Sequence, residues 1–256
     1  MKILFLGDIV GRKGRDIVFK YIKQLQKDHQ IDFTIVNAEN SAHGKGITTK
    51  IYRQLKECGV DAITLGNHAF SKSEILNTFD ELDDLIAPRN NLTHKTDGYQ
   101  LYNVKGLRLC VANILGSAMM HENSNDAFST MSEILSETDA DLYFVDFHAE
   151  ATAEKILFAH YFKNSLTAVI GTHTHVQTAD ERIMSGMAYL SDAGMCGVYD
   201  SVIGRDIDEM IDNIIKHKET RFTVADGDAM LCGAIIEIDK NTKRAINIER
   251  VQIRPY

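Results

Sequence analysis

Short apolar runs alternate with amphipathic helical patterns through the first two-thirds of the chain. Residues 2–7 and 33–36 have the composition of buried strands, and residues 16–28 between them place their apolar side chains on one helical face. Strands separated by helices in this way are typical of βαβ units, in which the strands pair in parallel. Further along, residues 221–224 and 229–238 also have strand patterns, and a helix is expected near residues 207–217. The sequence therefore predicts an α/β fold.

Composition limits the organisation and the class of partner. No linker or repeat divides the sequence, so we expect a single domain over residues 1–256. No apolar run reaches ~18 residues, so no membrane span is expected. Cys58, Cys110, Cys196 and Cys232 are widely spaced, which predicts reduced thiols and a cytoplasmic protein. A net charge of −8 argues against stable nucleic-acid binding, although bound cations would still allow an anionic substrate.

Side chains that commonly bind metals follow five of the predicted strands. Function gathers outside the carboxyl ends of strands in open α/β sheets, so we expect these stretches to converge in space. Each stretch also has a structural explanation, such as helix capping by Asp8 or core packing of His148, but their shared position favours a common site. The stretches are Gly7-Asp8, Asn37-Ala38-Glu39-Asn40, Gly66-Asn67-His68, Asp146-Phe147-His148 and Gly171-Thr172-His173-Thr174-His175.

The pair His173 and His175 is the most informative of these signals. In an extended chain, residues i and i+2 point the same way. We therefore expect both imidazoles to leave the end of the strand on one side, where Gly171 lets the backbone turn. Taken alone, the pair is equally compatible with a ligand role and with a structural one.

The combined set of side chains has the composition of a metal centre. Seven ligands are too many for one ion but suit two ions that share a carboxylate. Oxygen and imidazole ligands without thiolates indicate iron, manganese or zinc rather than a structural zinc site. The candidate ligands are Asp8, Glu39, Asn40, Asn67, His148, His173 and His175.

These motifs resemble those of the calcineurin-like metallophosphoesterase superfamily, and more narrowly the YmdB-type bacterial metallophosphoesterases. The wider superfamily has Asp-x-His as its first motif, whereas this chain has Val10 at the third position, and Asn40 is the replacement ligand of the YmdB type. The resemblance runs in the same order from residue 1 to 253. The matching segments are residues 7–11, 37–46, 61–68, 146–152, 171–180, 192–195 and 221–225.

The resemblance implies a four-layer α/β/β/α sandwich that holds two metal ions, with iron expected and manganese or zinc as alternatives. It implies hydrolysis of small phosphodiesters, 2′,3′-cyclic nucleotides in particular, by a hydroxide held between the metals, with His68 as the catalytic acid. By motif, Glu39 bridges the two metals. The other implied ligands are Asp8, Asn40 and His175 for one metal, and Asn67, His148 and His173 for the other.

Three further features bear on the pocket. Ala69-Phe70-Ser71 follows His68 where relatives commonly have Thr-Trp-Asp, so a carboxylate and an indole are lost there. Arg12 lies in a basic glycine-containing turn that opens a helix and suits a phosphate, although a solvated turn explains it equally well. His43 lies just past two candidate ligands. Arg12 and His43 are therefore candidate substrate-binding residues.

Two other functions remain open from the sequence. One is a phosphomonoesterase or protein phosphatase of the same superfamily, and the other is a regulatory protein whose metal centre senses a nucleotide with incidental turnover. A pure sensor has no need of His68, which favours an enzyme. We expect a small-molecule substrate, and a homo-oligomer is compatible with the sequence.

Overall fold

The structure is a computed structural model that describes residues 1–121 and 123–256. Its strands are β1 (Lys2–Leu6), β2 (Asp8–Ile9), β3 (Phe33–Asn37), β4 (Ala62–Thr64), β5 (Leu85–Ile86), β6 (Tyr99–Val104), β7 (Leu107–Leu115), β8 (Leu142–His148), β9 (Ala168–Thr172), β10 (Arg182–Met184), β11 (Met187–Leu190), β12 (Met195–Val198), β13 (Ala229–Asp239) and β14 (Arg244–Ile253). Its helices are α1 (Gly11–Asp28), α2 (Thr49–Glu57), α3 (Ser73–Thr78), α4 (Ala127–Glu137), α5 (Thr152–Phe162) and α6 (Ile207–Met210).

The described strands form two sheets. The first has the order β2-β12-β13-β1-β3-β4-β5, with β14 paired to β13. Within it β1, β3, β4 and β5 are parallel neighbours, as the βαβ pattern predicts. The second has the order β10-β11-β9-β8-β7-β6, and its central strands β7, β8, β9 and β11 are again parallel. Parallel pairing places the carboxyl ends of neighbouring strands at one edge of each sheet.

The apolar core follows the alternation of side chains along the strands. Leu4 and Leu6 of β1 pack on the helical side of the first sheet, in a cluster that includes the buried face of α1. Phe5 points the opposite way and packs on Phe144 of the second sheet, with ring centroids 5.3 Å apart. The far face of the second sheet packs on α4 and α5. The mixed α/β fold is confirmed, with two multi-stranded sheets and helices.

In the segment before β13, one sequence expectation fails and another is met in part. Residues 221–224 do not form a strand, since Val224 makes only an isolated bridge with Arg205. Phe222 and Val224 instead lie beside Gly44. The helix predicted near residues 207–217 is present in part, as α6 followed directly by a π-helical turn at Ile211–Ile215. Neither piece contains a buried residue, so little packing favours a longer regular helix.

The predictions about membrane spans and cysteines can be compared directly with the structure. Among the described residues, no helix is long and apolar enough to cross a membrane. The four cysteines are free, as predicted. Cys110, Cys196 and Cys232 are buried, and burial raises the pKa of the Cys110 thiol to about 12.

Candidate functional site

The candidate site lies where the carboxyl ends of the two sheets meet. Hydrogen bonds cross between the sheets there, because Asn37 Nδ2 of the first sheet donates to Asp146 Oδ2 of the second over 2.8 Å. The Thr64 hydroxyl donates to the same oxygen over 2.5 Å. A cavity of about 250 Å³ opens at this edge. Its lining includes Glu39, Asn40, His68, Glu150, His173 and His175.

Glu39 occupies the centre of the site and is only 1% exposed. Its Oε1 accepts a hydrogen bond from Asn40 Nδ2 over 3.0 Å and lies 3.3 Å from His148 Nε2. Its Oε2 accepts from the His68 backbone N–H over 3.0 Å. Gly66 permits this arrangement, since a Cβ there would lie 2.3 Å from Glu39 Oε2 and 2.5 Å from the His148 ring. The glycine before Asn67 and His68 is therefore required by close approach.

In one half of the candidate site, two other candidate ligands lie next to His148 Nε2. This nitrogen lies 2.9 Å from Asn67 Oδ1 and 3.0 Å from His173 Nδ1. Glu39, His148 and His173 each offer a ligand atom, and these atoms lie within 4.8 Å of one another. This half could therefore hold a metal ion.

His175 belongs to the other half of the site. Its Nε2 lies 3.1 Å from Asn40 Nδ2 and 3.8 Å from Asp8 Oδ1. Asp8 is fully buried, and its Oδ1 has no hydrogen-bond partner within the described part of the chain. A buried carboxylate oxygen is costly to leave unsatisfied, so this atom is a candidate ligand for a cation.

The sequence predicted that His173 and His175 leave the end of an extended strand on the same side. The structure does not have this arrangement. β9 ends at Thr172, and His173 and His175 have φ angles of 99° and 68°. These left-handed conformations are unfavourable for residues with a side chain, and they break the alternation of an extended chain. As a result His173 contacts His148, whereas His175 contacts Asn40.

In each of the three histidines, the ring nitrogen that points away from the other candidate ligands has a polar contact of its own. His175 Nδ1 lies 2.8 Å from the Ile203 carbonyl oxygen, and His173 Nε2 lies 3.2 Å from Glu150 Oε2. Both oxygens can only accept, so these nitrogens carry the hydrogen of the neutral ring. His148 Nδ1 lies 2.9 Å from the Thr172 hydroxyl, which itself donates to Asp146 Oδ1 over 2.6 Å.

The hydroxyl of Thr172 has a single hydrogen, and the Asp146 carboxylate takes it. Thr172 Oγ1 must then accept from His148 Nδ1–H. When the three rings are neutral, the remaining nitrogens carry lone pairs that face the carboxylates of the site, namely Nε2 of His148 and His175 and Nδ1 of His173. Hydrogen bonds of this kind fix the tautomers of metal-ligating histidines, so the donor set fits metal ions.

The electrostatics of the site favour positive charge at its centre. Burial alone would lower the pKa of His148, but the Glu39, Asp8 and Asp146 carboxylates together more than offset this and raise the pKa to about 9. Burial and the His148 imidazole together lower the pKa of His173 to about 3. Burial also raises the pKa of Asp8. Carboxylates attract a cation here, while the two adjacent rings cannot both be protonated.

Comparison with known proteins assigns the family. A model of the family described as YmdB-like protein matches residues 4–251. The chain belongs to the YmdB-like family. A relative from Bacillus subtilis (strain 168), named 2′,3′-cyclic-nucleotide 2′-phosphodiesterase, is 44% identical over 258 residues, which cover 99% of this chain and 97% of the relative.

Two solved structures are closely similar to this chain over nearly their whole length. The crystal structure of a phosphatase from Mycoplasma pneumoniae has a TM-score of 0.94 and 37% identity, and it covers 99% of this chain and 93% of its own. A protein of Thermus thermophilus, described as hypothetical, has a TM-score of 0.93 and 32% identity and covers 99% of both chains. These similarities extend over nearly all of this YmdB-like chain.

His68 and the three residues after it lie in different surroundings. His68 lines the cavity in a turn that follows β4. Ala69 is buried in the core beneath the helices, and Phe70 packs on Phe79 and His94 with ring centroids 5.3 and 4.3 Å away. The departure at Ala69-Phe70-Ser71 therefore affects the packing that supports the His68 turn.

Arg12 and His43 are not among the residues that line the cavity of the candidate metal ligands. Both line a neighbouring depression of about 450 Å³. Arg12 lies 3.6 Å from Asp16 and its side chain is 82% exposed, while Lys13 pairs with Asp226 at 2.9 Å. Arg12 and Lys13 are thus each paired with a carboxylate. Substrate contact by Arg12 and His43 remains a prediction.

Sequence reasoning did not single out several other residues of the cavity. Lys45, Glu150, Arg205 and Phe222 line it beside the candidate ligands. The Arg205 guanidinium lies 4.7 Å from the Phe222 ring centroid and is held by Glu209, at 2.7 Å. Lys45, Glu150 and Phe222 fall inside segments that match the family, so motif membership was the available signal. Arg205 lies outside every such segment.

Proposed function

We propose that the protein is a metal-dependent phosphodiesterase that hydrolyses small phosphodiesters, 2′,3′-cyclic nucleotides in particular. The observation that carries the proposal is the set of three imidazoles, each with one nitrogen hydrogen-bonded and the other close to a buried carboxylate, either Glu39 or Asp8. Such a donor set at a cavity that also exposes a further histidine suits hydrolysis more than simple binding. The name of the Bacillus subtilis relative supports the choice of substrate class.

We divide the seven candidate ligands into two groups, one for each proposed metal, with Glu39 common to both. We assign Asn67, His148 and His173 to one metal, because they surround His148 Nε2. Asp8, Asn40 and His175 would hold the other, with the Asn40 amide rotated to present its oxygen. Oxygen and imidazole donors suit iron, with manganese or zinc as alternatives. When bound, two such ions supply a water of lowered pKa and a positive field for the phosphate oxygens.

His68 would protonate the leaving oxygen of the substrate. Its backbone is tied to Glu39, so its ring is positioned relative to the proposed metal ligands. Hydrolysis of the bond to the ribose O2′ would leave a 3′-phosphate, and His68 would donate its proton to that O2′. Lys45 lies exposed at the same cavity and would attract the anionic substrate.

A substrate panel tests the proposal. For metal-replete protein, kcat/KM is expected to be higher for 2′,3′-cyclic AMP than for 3′,5′-cyclic AMP, bis-p-nitrophenyl phosphate or p-nitrophenyl phosphate. Chromatography should identify 3′-AMP as the product rather than 2′-AMP. Preference for p-nitrophenyl phosphate would instead support a phosphomonoesterase, which the description of the Mycoplasma pneumoniae structure as a phosphatase keeps as a second candidate. An absence of turnover would point to a nucleotide sensor.

A further inference from the structure

The segment that carries His173 and His175 has an unfavourable backbone. Both residues have positive φ, at 99° and 68°, and neither is glycine. Conformations of this kind cost about 1–3 kcal/mol each and persist only where the surroundings determine them. Something other than local preference must therefore hold this segment in place.

A buried ion pair lies directly behind the segment. Lys155 of α5 and Asp192, which follows β11, are each 1% exposed. Their charged atoms, Lys155 Nζ and Asp192 Oδ2, lie 2.8 Å apart. Unpaired charges are very costly in such a position, so the two side chains stabilise each other there.

Both members of the pair also bind the backbone around His173. Lys155 Nζ donates to the Thr172 carbonyl oxygen over 2.8 Å. Asp192 Oδ2 accepts from the backbone N–H of Thr174 over 3.1 Å and from the Thr174 hydroxyl over 2.7 Å. Asp192 Oδ1 accepts from the Gly194 N–H over 2.9 Å, which fixes the carboxylate itself. The residues before and after His173 are thus attached to one buried pair.

We propose that Lys155 and Asp192 are positioning residues of the metal centre, which hold Thr172 and Thr174 so that His173 and His175 turn toward different metals. Neither residue reaches a candidate ligand atom itself. The pair acts through the backbone, because an anchor on each side of His173 keeps that residue in its left-handed conformation. This inference rests on the proposed metal centre.

Thr174 offers a mild test of the proposal. Thr174→Val keeps the shape of the side chain but removes its hydrogen bond to Asp192, whereas Thr174→Ser keeps the hydroxyl. Metal-free protein of each kind would be titrated with Mn²⁺ and followed by calorimetry. Loss of groups that orient metal ligands commonly weakens metal affinity by about 10–100-fold. We expect a weakening of about tenfold or more in Thr174→Val and wild-type affinity in Thr174→Ser.

The possible results separate the inference from the proposed function. Equal Mn²⁺ affinity in wild type and Thr174→Val would overturn the positioning role alone. Failure of the wild-type protein to bind Mn²⁺ would overturn the metal centre and the inference together. Weakening in both Thr174 variants would also contradict the proposal, since the hydroxyl would then not be the group that matters.

A second test replaces both members of the Lys155 and Asp192 ion pair in one variant. Lys155→Met combined with Asp192→Leu leaves no unpaired buried charge, so the protein is expected to fold. We expect faster amide hydrogen exchange in residues 172–175 and weaker Mn²⁺ binding. Lys56→Met with Asp84→Leu is a control, because the charged atoms of that pair lie 2.7 Å apart at a different edge of the fold. Unchanged exchange and Mn²⁺ affinity in the Lys155 and Asp192 double variant would overturn the proposal.

Discussion

Replacing His68 with alanine is expected to reduce the turnover of 2′,3′-cyclic AMP by about 10²–10⁴-fold, the usual contribution of a positioned acid or base. Metal content should not change, because His68 touches Glu39 through its backbone N–H, which alanine retains. The proposed loss arises because the departing ribose oxygen no longer receives a proton. Steady-state kinetics together with metal analysis of the same preparation would measure both quantities.

A matched control is available on α5. His160 is exposed and is not among the residues that line the candidate cavity, so His160→Ala should keep wild-type turnover. If His68→Ala were as active as the wild type, His68 would not be the acid. If it lost metal as well as activity, the loss of turnover would have to be attributed to the metal site.

Replacing Glu39 with glutamine is expected to have the largest effect on metal binding. The substitution keeps the size of the side chain but removes the charge that both proposed metals share. Glu39 is nearly inaccessible and faces His148 at 3.3 Å, so solvent cannot replace the lost carboxylate. Since loss of a group that only orients a ligand already costs about 10–100-fold, we expect metal affinity to fall by more than about 100-fold. Turnover should become undetectable.

Glu154→Gln is the corresponding control for Glu39→Gln. The Glu154 carboxylate accepts hydrogen bonds from the backbone of Ser117 and Ala118 and belongs to neither proposed metal group. It should therefore keep wild-type metal affinity. Calorimetric titration of both metal-free variants with Mn²⁺ makes the comparison. Tight binding of two ions by Glu39→Gln would contradict the assignment of Glu39 as the shared ligand.

The location of the site could be predicted from the sequence because parallel strands impose it. Asp8, Glu39 and His148 are far apart in the chain, yet each follows or ends a strand that has a parallel neighbour. Once the βαβ pattern is read, the carboxyl ends must meet at one edge. Residue type then indicates what kind of chemistry can occur there. Backbone topology and side-chain chemistry are both visible in a single sequence.

The local geometry could not be predicted in the same way. The left-handed conformations of His173 and His175 depend on the Lys155 and Asp192 pair, whose members lie in different elements. Periodicity of apolar residues does not reveal such long-range contacts. The contact between Arg205 and Phe222 was also missed. The β-branched and aromatic residues around Phe222 indicate a strand even where no neighbouring strand is free to pair.

The division of the histidines between two metals is the central claim, and anomalous X-ray scattering tests it most directly. Crystals of the protein loaded with Mn²⁺ are predicted to show two strong anomalous peaks about 3.5–4 Å apart. One peak should lie beside His148 and His173, and the other beside His175 and Asp8, with Glu39 between them. A single peak shared by His173 and His175, or no peak at this site, would contradict the account.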